Sequence, residues 1–127
     1  MNILTLVLAL IAVESSGDDN ARGDNNLAYG ALQLHSAYVA DAAEYANKDW
    51  KHEDAFDRKT AIDIFLAYMS RYATEKRLGR PVTIEDIARI HNGGPNGYKK
   101  DATLKYWKKV ERELISSGAL APHNQNT

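Results

Sequence analysis

Cysteine is absent from this chain, and proline, phenylalanine, tryptophan and methionine are scarce, at three, two, two and two in 127 residues. Without cysteine there is no disulfide scaffold, no thiolate nucleophile and no Cys-ligated metal, and the redox compartment stays open. The four histidines, His35, His52, His91 and His123, are far apart with no i, i+4 pair, so neither a metal nor an organic cofactor is expected. The glycine-rich stretch at residues 92–97 lacks the Gly-Lys-Ser/Thr ending of a phosphate loop, which argues against nucleotide binding. Long apolar runs are missing too. The longest, at residues 3–13, is shorter than the roughly 20 residues a bilayer span requires, so no stable membrane span is expected. It has the length of a secretory leader's apolar segment, but no basic flank precedes it and no A-x-A site follows. We read it as a core helix of the mature fold.

What is present suits one domain over residues 1–127, with 44% hydrophobic and 26% charged residues. The net charge of −1 hides a division: residues 1–79 carry 8 Lys/Arg against 12 Asp/Glu, and the remainder 8 against 5.

The apolar run ends on Glu14, followed by Ser15, Ser16 and Gly17. Charge is costly to bury, so a carboxyl closing the most hydrophobic element is expected either to be paired or to keep its proton. In the last turn of a helix the negative end of the macrodipole opposes ionisation further. A carboxyl so placed is suited to general acid chemistry.

Residues 3–13, apolar on every side, predict a helix buried all round that acts as the hub of the fold, with Gly17 as its stop. A polar loop rich in Asp, Asn and Gly follows, and residues 27–34 are a strand or a turn. From Ser36 a helix is expected to bury Tyr38, Ala42, Tyr45 and Ala46. A long helix over residues 55–78 should bury Ile62, Phe65, Leu66, Met69, Tyr72 and Ala73. Thr83 and Asp86 form a shortened capping signal for a helix with the stripe Ile84, Ile87, Ala88 and His91. Asp101 is expected to cap a last helix over residues 102–117, which buries Thr103, Trp107, Val110 and Leu114, and residues 119–127 read as a frayed tail.

Glu14 and Asp24 form the main candidate constellation, an acid on an apolar helix end and a carboxyl in a polar loop. Contrasting environments are what a division of acid and base roles requires, as in glycoside hydrolysis. Asp24 has a second use open to it, bonding the amides of its own loop. His91 reads first as a satisfied core histidine and second as a ligand contact. Lys105, Lys108, Lys109 and Arg112 share one face of the last helix, either simply solvated or attracted to an anionic polymer.

Glu14-Ser15-Ser16-Gly17, Ala21 and residues 29–34, YGALQL, resemble the E-S-x…A…G-L-M-Q signature of the lysozyme-like superfamily, in particular soluble lytic transglycosylases and goose-type lysozymes. Residues 90–95, IHNGGP, resemble their A-Y-N-A-G-P turn, and residues 103–110, TLKYWKKV, the helix that follows. Residues 87–110 are closer in wording to invertebrate-type lysozymes. The resemblance implies a mainly α, lysozyme-like fold with little or no β structure. It also implies cleavage of the β-1,4 bond between N-acetylmuramic acid and N-acetylglucosamine in peptidoglycan, with Glu14 as the acid. Gly30, Gln33, His91, Asn92 and Tyr106 match positions around the cleft; amides suit N-acetyl groups, and a tyrosine hydroxyl can orient a carboxyl.

The departures bear on chemistry. Invertebrate-type members are rich in cysteine and this chain has none, and Leu-Met-Gln is Ala31-Leu32-Gln33 here. If Asp24 is the second catalytic carboxylate, the product is a reducing sugar; if Glu14 acts alone, a lytic transglycosylase leaves a 1,6-anhydro end. A glycan-binding module without catalysis is the other class. The expected partner is the peptidoglycan strand, with no nucleic acid, and the chain is expected to be a monomer acting at the cell wall, periplasmic or extracellular, with a phage-type endolysin as one route there.

Overall fold

Helix α1, Ile3–Ser15, begins where Asn2 accepts the amide of Thr5 through Oδ1 at 3.0 Å and ends on Ser16, which takes the left-handed conformation at φ 54° ahead of Gly17. The computed structural model describes residues 1–122. His123 and the last part of the expected tail lie outside the described residues.

Helix α1 is part of the core, but its burial is one-sided. Leu6, Val7, Leu10 and Ile11 are buried between helices α5, Ile84–Gly93, and α6, Leu104–Ser116, whereas Leu4 and Leu8 are 55% and 63% exposed. Spaced four apart, those two leucines share the exposed face of the helix.

The polar loop folds into a hairpin. Strand β1, Arg22–Gly23, pairs antiparallel with β2, Ala28–Tyr29, and Tyr29 bridges on to Leu34. This is the one sheet among the described residues, so the fold is mainly helical with little β structure. Ser15 Oγ donates to Ala31 O at 2.8 Å, tying the end of α1 to the segment after the hairpin.

Helix α2, Ser36–Ala46, buries Val39, Ala42 and Ala43, while Tyr45 is half exposed, a rotation of the expected face. The long helix expected over residues 55–78 is interrupted twice. It becomes a 3-10 turn, His52–Phe56, then α3, Arg58–Tyr72, then α4, Glu75–Leu78. Side-chain caps cause both breaks. Asp57 accepts from Thr60 N at 3.0 Å and Thr74 from Arg77 N at 3.1 Å, each offering an amide a local partner in place of a continuing helix. The buried stripe of α3 is Ala61, Ile64, Phe65, Tyr68 and Met69; Ile62, Leu66 and Tyr72 are only partly covered.

At the start of α5 the capping box is present as expected: Asp86 N donates to Thr83 Oγ1 at 3.1 Å, and Thr83 N donates to Asp86 Oδ2 at 2.9 Å. Arg80 adds a fork to both oxygens, at 2.7 and 2.8 Å. Burial pushes the Asp86 carboxyl up, but the bonds from Arg80 and Thr83 outweigh it and hold the group below its usual range. A depressed folded value stabilises the fold above the unfolded value of about 3.9 and loses that contribution as the pH falls through the folded one. Asp86→Asn is therefore expected to cost about 1–2 kcal/mol near pH 7 and progressively less as the pH falls below about 3.9, read from urea melts at neutral and acid pH. An equal gap at both would contradict the assignment.

Asp101 opens a 3-10 turn, Asp101–Thr103, instead of capping α6, whose first residue is Leu104. Thr103 is drawn inward because its hydroxyl accepts from Arg89 Nε at 2.8 Å and donates to Gly97 O at 2.7 Å. Past α6, Ala119 and Leu120 pack on the core, and both amides donate to Leu114 O.

Candidate active site

Glu14 is carried by the last turn of α1, with its side chain 18% exposed at the floor of a cavity of about 360 Å³. Tyr106, the residue after the exposed Lys105 on α6, donates its hydroxyl to Glu14 Oε2 at 2.9 Å. Burial first, and then the charge of Glu14, push the Tyr106 phenol well above its ordinary range, so it stays a donor.

His91 reaches the same oxygen from the last turn of α5, with Nε2 3.3 Å from Glu14 Oε2. Its tautomer follows from its other partners. Nε2 lies 3.0 Å from the carbonyl of Leu32, which can only accept, so Nε2 carries the hydrogen and Nδ1 accepts from Tyr38 OH at 3.0 Å. Burial, then Tyr68 and Glu14, hold the Tyr38 phenol well above its usual value, which keeps it able to donate. Phe65 and Tyr38 meet the imidazole edge to face, leaving it buried and oriented. His91 is thus a satisfied core histidine and a neighbour of Glu14 at once.

Asp24 sits at the tip of the hairpin and lines the same cavity as Glu14. Its Oδ2 lies 2.8 Å from His35 Nε2. Gln33 and Asn92 also face the cavity, Asn92 from an exposed position at the end of α5. The Gln33 amide donates to Gly30 O at 2.9 Å and Ala21 O at 3.3 Å, bracing the hairpin from inside. Gly30 does not face the cavity. It has φ 81°, and a Cβ there would lie 2.0 Å from Ala55 O, so its place in the fold is to let two backbones touch.

The cavity therefore brings together Glu14, Asp24, Gln33, His91 and Asn92, with Tyr106 bonded to Glu14 from behind, and leaves Gly30 in the packing beneath. Three lining residues, His35, Tyr38 and Gly94, were not among those expected. Nothing in their spacing marks them; Tyr38 reads in sequence only as one of several aromatics on a helix face. Among the described residues no group of three or more His, Asp or Glu is placed to hold a metal ion, and no helix is long and apolar enough to cross a membrane.

The family model described as Destabilase matches residues 6–113. An invertebrate-type lysozyme of Ruditapes philippinarum is 38% identical over 87 residues, covering 68% of this chain and 61% of its own length. A lysozyme of Meretrix lusoria is 36% identical over 68% of each chain. Among solved structures, the lysozyme of Tapes japonica superposes with a TM-score of 0.70 at 32% identity, covering 85% of this chain and 87% of the other. An inhibitor-bound lysozyme of Meretrix lusoria gives 0.70 at 28% identity, over 94% and 93%. The chain spans about three-fifths of the length of its Ruditapes relative.

Proposed function

The chain belongs to the destabilase family, and from that premise we propose that it is a muramidase-type peptidoglycan hydrolase that cleaves the β-1,4 bond after N-acetylmuramic acid. The single observation that carries the proposal is Glu14, a poorly exposed carboxyl lining a cleft, with one oxygen bonded by Tyr106 and close to His91 and with Asp24 in the same cleft. Relatives named as lysozymes support the same reaction class.

Tyr106 OH donates to Oε2, which also has His91 Nε2 3.3 Å away, and this supports placing the acid proton on Oε1, the oxygen turned to a leaving group. Glu14 gives that proton to the glycosidic oxygen as the bond breaks. Positive charge then develops at the sugar ring, where the Asp24 carboxylate stabilises it, either by attacking the anomeric carbon or by drawing a proton from the attacking water. The product is a reducing sugar. Asn92 offers its amide group, and Gln33 its amide oxygen, to the N-acetyl arms of the substrate.

Mass spectrometry of the soluble fragments released from purified peptidoglycan tests this directly. Reducing ends are expected. Fragments lighter by one water, the 1,6-anhydro ends, would instead assign a lytic transglycosylase using Glu14 alone, and saturable binding with no soluble fragment would assign a glycan-binding module.

A further inference from the structure

We propose that His35 is a positioning residue for Asp24, holding the second carboxylate of the cleft in its working orientation; this rests on the hydrolase reading above. Asp24, Asn25 and Asn26 have φ of 49°, 57° and 69°, three successive left-handed residues of a kind that only Asn, Asp and Gly adopt at low cost. The tip closes through Leu27 N, which donates to Gly23 O at 3.0 Å and Asp24 O at 3.2 Å. Residues 24–27 are all exposed, and the Asp24 side chain is 69% exposed.

A carboxylate on such a tip samples several rotamers unless something binds it. Its partner is mounted quite differently. His35 is the N-cap residue of α2, with its carbonyl accepting from Val39 N at 3.2 Å. The residue before it, Leu34, is buried and locked to Tyr29 by two backbone bonds, at 3.0 and 2.9 Å. The imidazole thus stands on a rigid element and the carboxylate on a loose one, so the 2.8 Å bond between them fixes Asp24. Because the bond occupies Oδ2, and no donor among the described residues reaches Oδ1, Oδ1 is left to face the substrate. The Nε2–H can donate in the neutral ring and in the imidazolium alike.

Mere bracing of the hairpin is the competing role for His35, and the structure separates the two. The hairpin keeps its ladder, the two Gln33 bonds, and the Arg22 guanidinium 4.7 Å from the rings of both Tyr29 and Phe56 when His35 is removed. The side chain of His35 makes no capping bond to α2, so its loss leaves the helix start unchanged.

The test is steady-state kinetics on soluble peptidoglycan oligomers with the full chain. His35→Ala is expected to lower kcat about 10-fold or more with KM moved less than about 2-fold, since misplacing a reacting group acts on the chemical step. His35→Gln, which restores an N–H donor, should recover most of that loss. In an Asp24→Asn background, where Asn still tolerates the left-handed backbone, His35→Ala should cost little more. Unchanged kcat in His35→Ala overturns the inference, as does a loss that Gln does not rescue and that tracks a lowered Tm. Should Asp24→Asn keep full rate while Glu14→Gln is inactive, the role of His35 falls and Glu14 keeps its own; equal activity of Glu14→Gln and wild type removes the hydrolase reading itself.

Discussion

Glu14→Gln is expected to stop the clearing of purified cell walls, with a rate about 10²- to 10⁴-fold below wild type, the range for loss of a positioned general acid. The substitution is nearly isosteric. Its amide oxygen can still accept from Tyr106 OH, and His91 keeps its bond to Leu32 O, so the protein should melt within about 1 kcal/mol of wild type. What it lacks is a proton to give to a leaving oxygen. Turbidity clearing measured beside a thermal melt separates chemistry from stability, and equal clearing by the two proteins would refute the assignment. Glu14→Ala is a poorer probe, because it strands the partly buried Tyr106 hydroxyl and confuses the two effects.

The largest loss of stability should come from Gly30→Ala. A Cβ there would sit 2.0 Å from Ala55 O and 2.8 Å from Ala55 C, both backbone atoms that cannot swing away, and φ of 81° adds strain to any L side chain. We expect a cost of about 3 kcal/mol or more and a Tm lowered by roughly 10 °C. Gly79→Ala serves as the control, since Gly79 has the same left-handed backbone, φ 79°, with nothing within 4 Å, and should lose only about 1 kcal/mol. The difference between the two isolates the overlap with Ala55. If Gly30 acted instead by touching substrate, its variant would melt normally and show a raised KM.

Elements set by local chemistry were legible in the sequence. Thr83 and Asp86 lie three apart and cap α5 as their spacing dictates, and the apolar run favoured as a core helix over a leader forms α1. Legibility fails where a local bond competes with a periodic pattern. The stripe from residue 55 to 78 reads as continuous, yet Asp57 and Thr74 each capture an amide and divide it, turning the buried face towards Ile64 and Tyr68. A one-sided covering is equally invisible in composition: Leu4 and Leu8 are as apolar as Leu6 and Leu10, and only the placement of α5 and α6 decides which pair meets solvent.

For the site, Glu14 was legible from its own surroundings as a carboxyl ending an apolar helix. Tyr106 entered through resemblance alone, since no spacing rule links positions 92 apart. The Asp24–His35 pair was not legible by either route, because it depends on three left-handed residues turning the hairpin tip back towards α2. Gly30 was legible in another way: a glycine in this stretch suggests a close backbone approach, and the backbone of Ala55 makes it.

The bond between Glu14 and Tyr106 also sets a timetable for the newborn chain. A ribosome adding about 5–20 residues per second needs roughly 5–20 s to travel from one to the other. Throughout that interval α1, the most apolar segment, has been made but lacks α6, the helix it packs against. Vulnerability to misassembly should therefore be concentrated during translation, when chaperone cover matters more to this protein than it does once α6 has closed over the acid.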